Sequence, residues 1–167
     1  DKKTVMSWLS VLIAGDIVYL LEPYNEISIS KRIIKRPKLY FTDTGLACYL
    51  ARLNSGEILG ASAFSGRFVE TYIINEIKKS YVNNGIEPNF YYYRDSDMNE
   101  IDLVIIQDGK LHRIECKSGI KFNNNAVKGF KQLDKTNYQI GFKVIICNTD
   151  TVYPLDDNVY VLPLAGI

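Results

Sequence analysis

Asp102, Glu115 and Lys117 stand on either side of an Asp108-Gly109 pair, and Asp-Gly between alternating apolar runs signals a two-residue β-hairpin. With Asp108 and Gly109 as the loop, Gln107 faces Lys110, Asp102 faces Glu115 and Glu100 faces Lys117. Opposed side chains on one face lie about 4.5–5.5 Å apart at Cβ, so two carboxylates there repel unless a cation compensates them. Hard divalent cations take carboxylate oxygens. Glu115 and Lys117 are two residues apart and share that face. Phosphodiester cleavage needs a polarised phosphoryl oxygen, an activated water and a positive stabiliser. Carboxylate-bound Mg²⁺ or Mn²⁺ supplies the first two, and a neighbouring lysine supplies the third. Asp102 and Glu115 as metal ligands and Lys117 as stabiliser make this hairpin a candidate metal-dependent phosphodiesterase site.

The hairpin alternates: Ile101, Leu103 and Ile105 against His112, Ile114 and Cys116 form an apolar face. Glu100, Asp102 and Val104 against Arg113, Glu115 and Lys117 form the other. A half-solvated ribbon with no function shows the same alternation, and Glu100 opposite Lys117 is an ordinary cross-strand ion pair. A fourth site group is expected from the helix that starts at Ser65 or Gly66 and carries Phe68, Val69, Tyr72, Ile73, Ile77 and Tyr81. Glu70 and Glu76 are its candidates; six residues apart, they cannot share a direction.

The remaining elements follow from periodicity and punctuation. Thr4 is positioned to cap a helix over about residues 5–14, with Val5, Trp8, Leu9, Leu12 and Ile13 on one stripe and Gly15 as its stop. Ile17–Leu21 and Ile27/Ile29 read as short strands, and Leu39-Tyr40-Phe41 as another before a helix from Leu46 to Leu53. Between them lies a basic stretch, Lys31, Arg32, Lys35, Arg36 and Lys38, able to touch phosphates or simply to form a solvated loop. Residues 54–64, rich in Gly, Ser and Ala, read as a linker. Phe90–Arg94 is a strand, the three asparagines at 123–125 cap a helix, and Ile140–Cys147 and Val159–Leu162 are strands. The order from Ser65 is thus α-β-β-β-α-β-β, an α/β mixed sheet flanked by helices.

The chain has 167 residues and 47% hydrophobic content, enough for one core or one core plus a small attachment. A net charge of +1 gives no bulk electrostatic footprint for nucleic acid. No apolar run reaches the roughly 18 residues of a membrane span, and no secretory leader pattern opens the chain. The start at Asp1 leads us to expect a longer protein upstream. Cys48, Cys116 and Cys147 make no metal-binding or disulfide pattern and suit a reducing cytoplasm. His112, the only histidine, faces Ile105 and away from the carboxylates. Tyr91, Tyr92 and Tyr93 can be read as a base-stacking platform or, more simply, as sheet packing.

Asp102, a gap, then Glu115-Cys116-Lys117 resembles the motif of the PD-(D/E)XK nuclease superfamily, with Ile101 where that pattern has Pro. Gly66-Arg67-Phe68-Val69-Glu70 resembles the superfamily's first-helix glutamate. More broadly, Lys35-Arg36-Pro37-Lys38-Leu39-Tyr40-Phe41-Thr42-Asp43-Thr44-Gly45-Leu46 resembles the approach to the C-terminal domain of unknown function of bacterial and archaeal AAA+ ATPase-like proteins. Phe68-Val69-Glu70, Tyr93-Arg94, Glu100-Ile101-Asp102 and Ile114-Glu115-Cys116-Lys117 add to that likeness. The resemblance implies a restriction-endonuclease-like mixed sheet over residues 62–167, a linker at 54–61 and the end of a winged-helix-like segment at 1–53. It maps the metal ligands to Asp102 and Glu115, the lysine to Lys117 and the helix glutamate to Glu70. It also implies an upstream ATPase module as partner, yet this chain has no Gly-x-x-x-x-Gly-Lys-Ser/Thr loop of its own.

Three functions follow as expectations. The first is Mg²⁺-dependent cleavage of DNA. The second is a nuclease-fold module without catalysis that binds nucleic acid or protein and regulates the ATPase. The third is a winged-helix DNA binder using Lys31–Lys38, whose binding would be salt-sensitive.

Overall fold

The computed structural model describes residues 1–26, 36–122, 124–156 and 158–167. The expected strand at Ile27/Ile29, the basic residues Lys31, Arg32 and Lys35, and the cap at Asn123 lie outside the described residues.

The chain opens with α1, Lys2–Ala14. Its cap is Asp1, whose carboxylate accepts the Lys3 N–H at 3.2 Å, and not Thr4. A carboxylate at this end also complements the helix dipole. Of its apolar stripe, Val5, Trp8, Leu12 and Ile13 are exposed, Trp8 to 68%. Strands β1 (Val18–Leu21) and β2 (Lys38–Phe41) pair antiparallel, with Leu21 opposite Lys38. Next is α2 (Thr44–Leu50), capped by Asp43, which accepts the Leu46 N–H at 2.7 Å. Residues expected as linker instead form a short helix, α3 (Gly56–Ala61), because Ser55 caps it through the Ile58 N–H.

The long helix α4 runs Ser65–Asn83 as expected, and Gly85 beyond it takes a positive φ of 71°. Six strands follow: β3 (Phe90–Arg94), β4 (Glu100–Gln107), β5 (Lys110–Cys116), β6 (Gln139–Cys147), β7 (Tyr153–Asp156) and β8 (Val159–Pro163). They form one sheet in the order β3-β4-β5-β6-β8-β7. The β3–β4–β5 side and the β7–β8 pair are antiparallel, while β5–β6 and β6–β8 are parallel. The protein is therefore a mixed α/β structure around a mixed sheet. Strand β7 escaped the sequence expectation: it is an edge strand containing Pro154, a residue tolerated at sheet edges and depleted elsewhere in strands.

The helix expected after the asparagines is two 3-10 segments, Asn124–Val127 and Gly129–Leu133. Gly129 runs close against β4: a Cβ there would lie 2.0 Å from the Glu100 carbonyl oxygen.

Both sheet faces are covered. On one, Leu21, Tyr40, Ile73, Ile74 and Tyr92 pack with Leu103, Ile105, Ile114, Val144 and Ile146. On the other, Phe130 and Leu133 pack with Ile101, Val104, Leu111, Ile145 and Val161. Ile101 and Leu103 thus belong to opposite faces, although they are two residues apart. The cause is a β-bulge: Tyr91 pairs with Val104 but Tyr93 with Ile101, so Asp102 and Leu103 together oppose Tyr92. The simple alternation expected of β4 breaks at this point. Among the described residues no helix is long and apolar enough to cross a membrane.

Candidate functional site

The hairpin forms with the expected register. Asp108 and Gly109 both take positive φ, 51° and 72°, as a two-residue turn matched to strand twist requires. Gln107 pairs with Lys110, Ile105 with His112 and Leu103 with Ile114; beyond that pair the strands meet through the Cys116 N–H and the Asp102 carboxylate.

The bulge changes where side chains of β4 point. It re-aims Glu100 and Asp102 to the α4 side, where a cleft of about 530 Å³ is lined by Lys38, Arg67, Glu70, Arg94, Glu100 and Asp102 among others. Glu115 stands between Ile114 and Cys116, both in the α4-side cluster, and so leaves β5 on the other face. Asp102 and Glu115 do not start from one shared face, contrary to the expectation. Neither Glu115 nor Lys117 is among the residues that line the cleft.

Asp102 is buried, and its Oδ2 accepts the Cys116 N–H at 2.9 Å. Burial, then the charges of Glu115 and Glu70, push its carboxyl up to about 8, against the pull of Lys38 and the Cys116 amide. Burial also raises the Glu115 carboxyl, opposed by Lys117, whose Nζ donates to Oε1 at 2.6 Å. Burial lowers the Lys117 ammonium, but Glu115 outweighs it and the net shift is upward. Glu115 Oε2 is buried and has no hydrogen-bond partner among the described residues.

Glu70 comes from the first turns of α4. Its Oε1 accepts Lys38 Nζ at 3.0 Å and the Tyr40 hydroxyl. Burial and the Glu70 charge hold the Tyr40 phenol far above its usual range, so it remains a proton donor. Glu76 stands apart, paired with Lys79 at 2.7 Å on the same helix. Of the two helix candidates, the structure brings Glu70 to the cleft.

Lys38 departs from the expectation of a phosphate-touching loop. Its ammonium sits among carboxylates: 2.6 Å from Glu100, 3.0 Å from Glu70 and 3.7 Å from Asp102. Burial lowers it, but Glu70, Asp102 and Glu100 together push it above the usual lysine range. Glu100 accordingly pairs with Lys38, not with Lys117 as the unbroken ladder predicts. Arg94 adds a second cation 3.9 Å from Glu100. Arg36 is exposed, and its carbonyl accepts the Tyr92 hydroxyl.

Sequence reasoning missed Lys38, Tyr40, Arg67 and Arg94 as cleft residues. Lys38 and Tyr40 lie on the same side of a strand at i and i+2, which was the one local signal available. The remaining candidates do not line the cleft. Tyr92 and Tyr93 are buried, with the Lys38 ammonium 5.1 Å above the Tyr92 ring, so they form no stacking platform. His112 Nδ1 accepts the Phe142 N–H at 3.2 Å, far from the carboxylates in role. Cys116 and Cys147 are buried free thiols.

Among the described residues, no three His, Cys, Asp or Glu side chains stand as a ready metal cradle. The donor chemistry nevertheless suits Mg²⁺, which takes one or two protein carboxylates and completes its shell with water and phosphate oxygens. Asp102 and Glu115, whose charges act on one another, are the carboxylates that would serve it.

A mixed α/β domain carrying a carboxylate–lysine cleft at a bulged hairpin is the class that this fold and site define. The chain belongs to the family described as a domain of unknown function, DUF4143, whose model matches residues 65–167. Residues 1–57 match a second domain of unknown function, DUF8612. The chain is 23% identical over 160 residues to an uncharacterized protein of Mycobacterium tuberculosis, and to the same extent to one of Mycobacterium bovis. The match covers 96% of this chain and 34% of each relative, so the chain spans about a third of their length. No solved structure matches the chain.

Proposed function

We propose that residues 62–167 are a restriction-endonuclease-like nuclease domain of the PD-(D/E)XK type, preceded by the end of a winged-helix segment, in a cytoplasmic AAA+ ATPase-type protein. Its substrate is DNA, cleaved with Mg²⁺ or Mn²⁺. The observation that carries this is the cleft at the bulge of β4, where the buried Asp102 carboxyl, raised by the charges of Glu115 and Glu70, stands with Glu70 of the preceding helix. Lys117 lies 2.6 Å from Glu115, and Glu70 of the preceding helix faces the Asp102 cleft.

A divalent ion at Asp102 and Glu115 would polarise the phosphoryl oxygen and acidify a bound water. The chain's own residues do the rest. The Cys116 amide fixes Asp102, Lys117 holds Glu115 and places a positive charge beside it, and Arg67 and Arg94 give the cleft cations for phosphate oxygens. The test is DNA cleavage in Mg²⁺ or Mn²⁺ by the parent, Asp102→Ala and Lys117→Ala. Loss in both variants supports the proposal, and an Asp102→Ala protein that cuts as fast as the parent ends it.

A second reading has its own support. Lys38 already neutralises part of the cleft, as suits a nuclease-fold module that binds nucleic acid or protein and regulates the ATPase without catalysis. Under this reading the parent cuts no DNA in either metal.

A further inference from the structure

We propose that the apolar pocket beside the cleft, between α2 and the first turns of α4, takes an unpaired nucleobase of a strand whose phosphate lies on Arg67. The inference rests on the nucleic-acid-binding part of the reading above and not on catalysis. The pocket has a volume of about 360 Å³, within the range of small-molecule sites. Three aromatic rings, Phe41, Phe64 and Phe68, line it. Helix α2 and its C-cap contribute Ala47, Leu50 and Ala51, and the two alanines, one turn apart, leave room against the rings. Phe64 is exposed, so a flat ligand has a ring face to stack on.

Among the described residues, Arg67 and Thr71 line both this pocket and the carboxylate cleft, and no other residue does. They stand one turn apart on α4, so the two spaces meet over about 6 Å of helix. Strand β2 likewise gives Tyr40 to the cleft and the next residue, Phe41, to the pocket. The other charges of the cleft answer one another: Lys38 pairs with Glu70, Glu100 and Asp102, and Arg94 stands 3.9 Å from Glu100. Arg67 is exposed, and among the described residues no acid pairs with it.

A free guanidinium at the edge of an apolar pocket selects a ligand that joins an anion to a ring, and its fork suits phosphate oxygens. A nucleotide is such a unit, with its base in the pocket and its phosphate on Arg67. A peptide with an acid beside a large apolar side chain has the same two parts, but the ring faces favour a planar group. A base so placed has left its stack and its partner, so the strand is single or frayed at that point.

The experiment is fluorescence anisotropy of an end-labelled single strand of about 12 nucleotides, without metal, against the same strand built of abasic residues. The proteins are the parent, Phe64→Ala, Ala51→Leu and Arg67→Ala; both pocket substitutions fall at exposed positions, so the core is kept. The parent should bind the base-bearing strand about tenfold tighter than the abasic one, as the stacking of one base predicts. Phe64→Ala and Ala51→Leu should close that gap while keeping the abasic affinity, and Arg67→Ala should weaken both strands alike. Equal binding of the two strands by the parent, or a gap that survives in either pocket variant, overturns this inference and leaves the cleavage reading standing. A gap seen in a protein that cuts no DNA supports this inference and removes only the catalytic reading. Binding of neither strand overturns both this inference and DNA as substrate; binding then of an acidic, Leu-rich peptide, lost in Ala51→Leu, assigns the pocket to a protein partner.

Discussion

The backbone N–H of Cys116 reaches the Asp102 carboxylate at 2.9 Å, tying β5 to the bulged residue of β4. The bond holds a buried acid in place while burial and two neighbouring carboxylates disfavour its charge. Sites built for ligands often carry such local cost.

Asp102→Asn keeps an oxygen for the Cys116 amide and removes the charge opposed by burial, Glu115 and Glu70. We expect the metal-free variant to be more stable than the parent by about 1–2 kcal/mol, since one pKa unit is worth about 1.4 kcal/mol. DNA cleavage should fall at the same time. Urea unfolding without metal checks the first outcome; a less stable variant contradicts it.

Gly129→Ala should destabilise the protein by about 2–4 kcal/mol, because its methyl group meets the Glu100 carbonyl at 2.0 Å and β4 must shift. The same shift should loosen the Glu100–Lys38 pair. Chemical denaturation measures the first effect, and faster acetylation of Lys38 the second.

Arg113 is fully buried, donating to the Phe130 carbonyl and to Asp134 Oδ1, the latter at 2.7 Å. Asp134→Ala leaves a buried guanidinium short of its counter-charge, and because Asp134 is itself 44% exposed, the expected loss is about 2–3 kcal/mol. Equilibrium unfolding in urea measures it, and a change below about 0.5 kcal/mol would refute the assigned role.

Glu76→Ala removes only a surface pair with Lys79 and should change stability by less than about 0.5 kcal/mol. Glu70→Ala takes an acceptor from both Lys38 and Tyr40 and should cost more. Equal effects of the two substitutions on thermal unfolding and Mn²⁺ affinity would mean that α4 offers the cleft nothing specific.

The hairpin and α4 were legible because their signals are local. Asp108-Gly109 sets its own turn, and the spacing of Phe68, Val69, Tyr72 and Ile73 marks a helix whatever it packs against. The bulge was not legible. Ile101, Asp102 and Leu103 keep the polar–apolar alternation of an ordinary strand, and only Tyr92 on the neighbouring strand shows that two of them share one partner. Lys38 was misplaced for a similar reason. Beside Arg36 it looks like one more solvated cation, and its carboxylates arrive from α4 and β4 through tertiary packing. Edge strand β7 was hidden by Pro154, and α3 by a composition that reads as loop until Ser55 is counted as its cap.

Helix α1 gives the protein a native optical probe. Trp8 is the only tryptophan in the chain and is 68% exposed on a helix where Val5, Met6, Val11, Leu12 and Ile13 are exposed as well. Its emission should lie at the red, water-exposed end of the range. Anything that lies down on that helix should shift the emission to the blue, without a label and without disturbing the cleft.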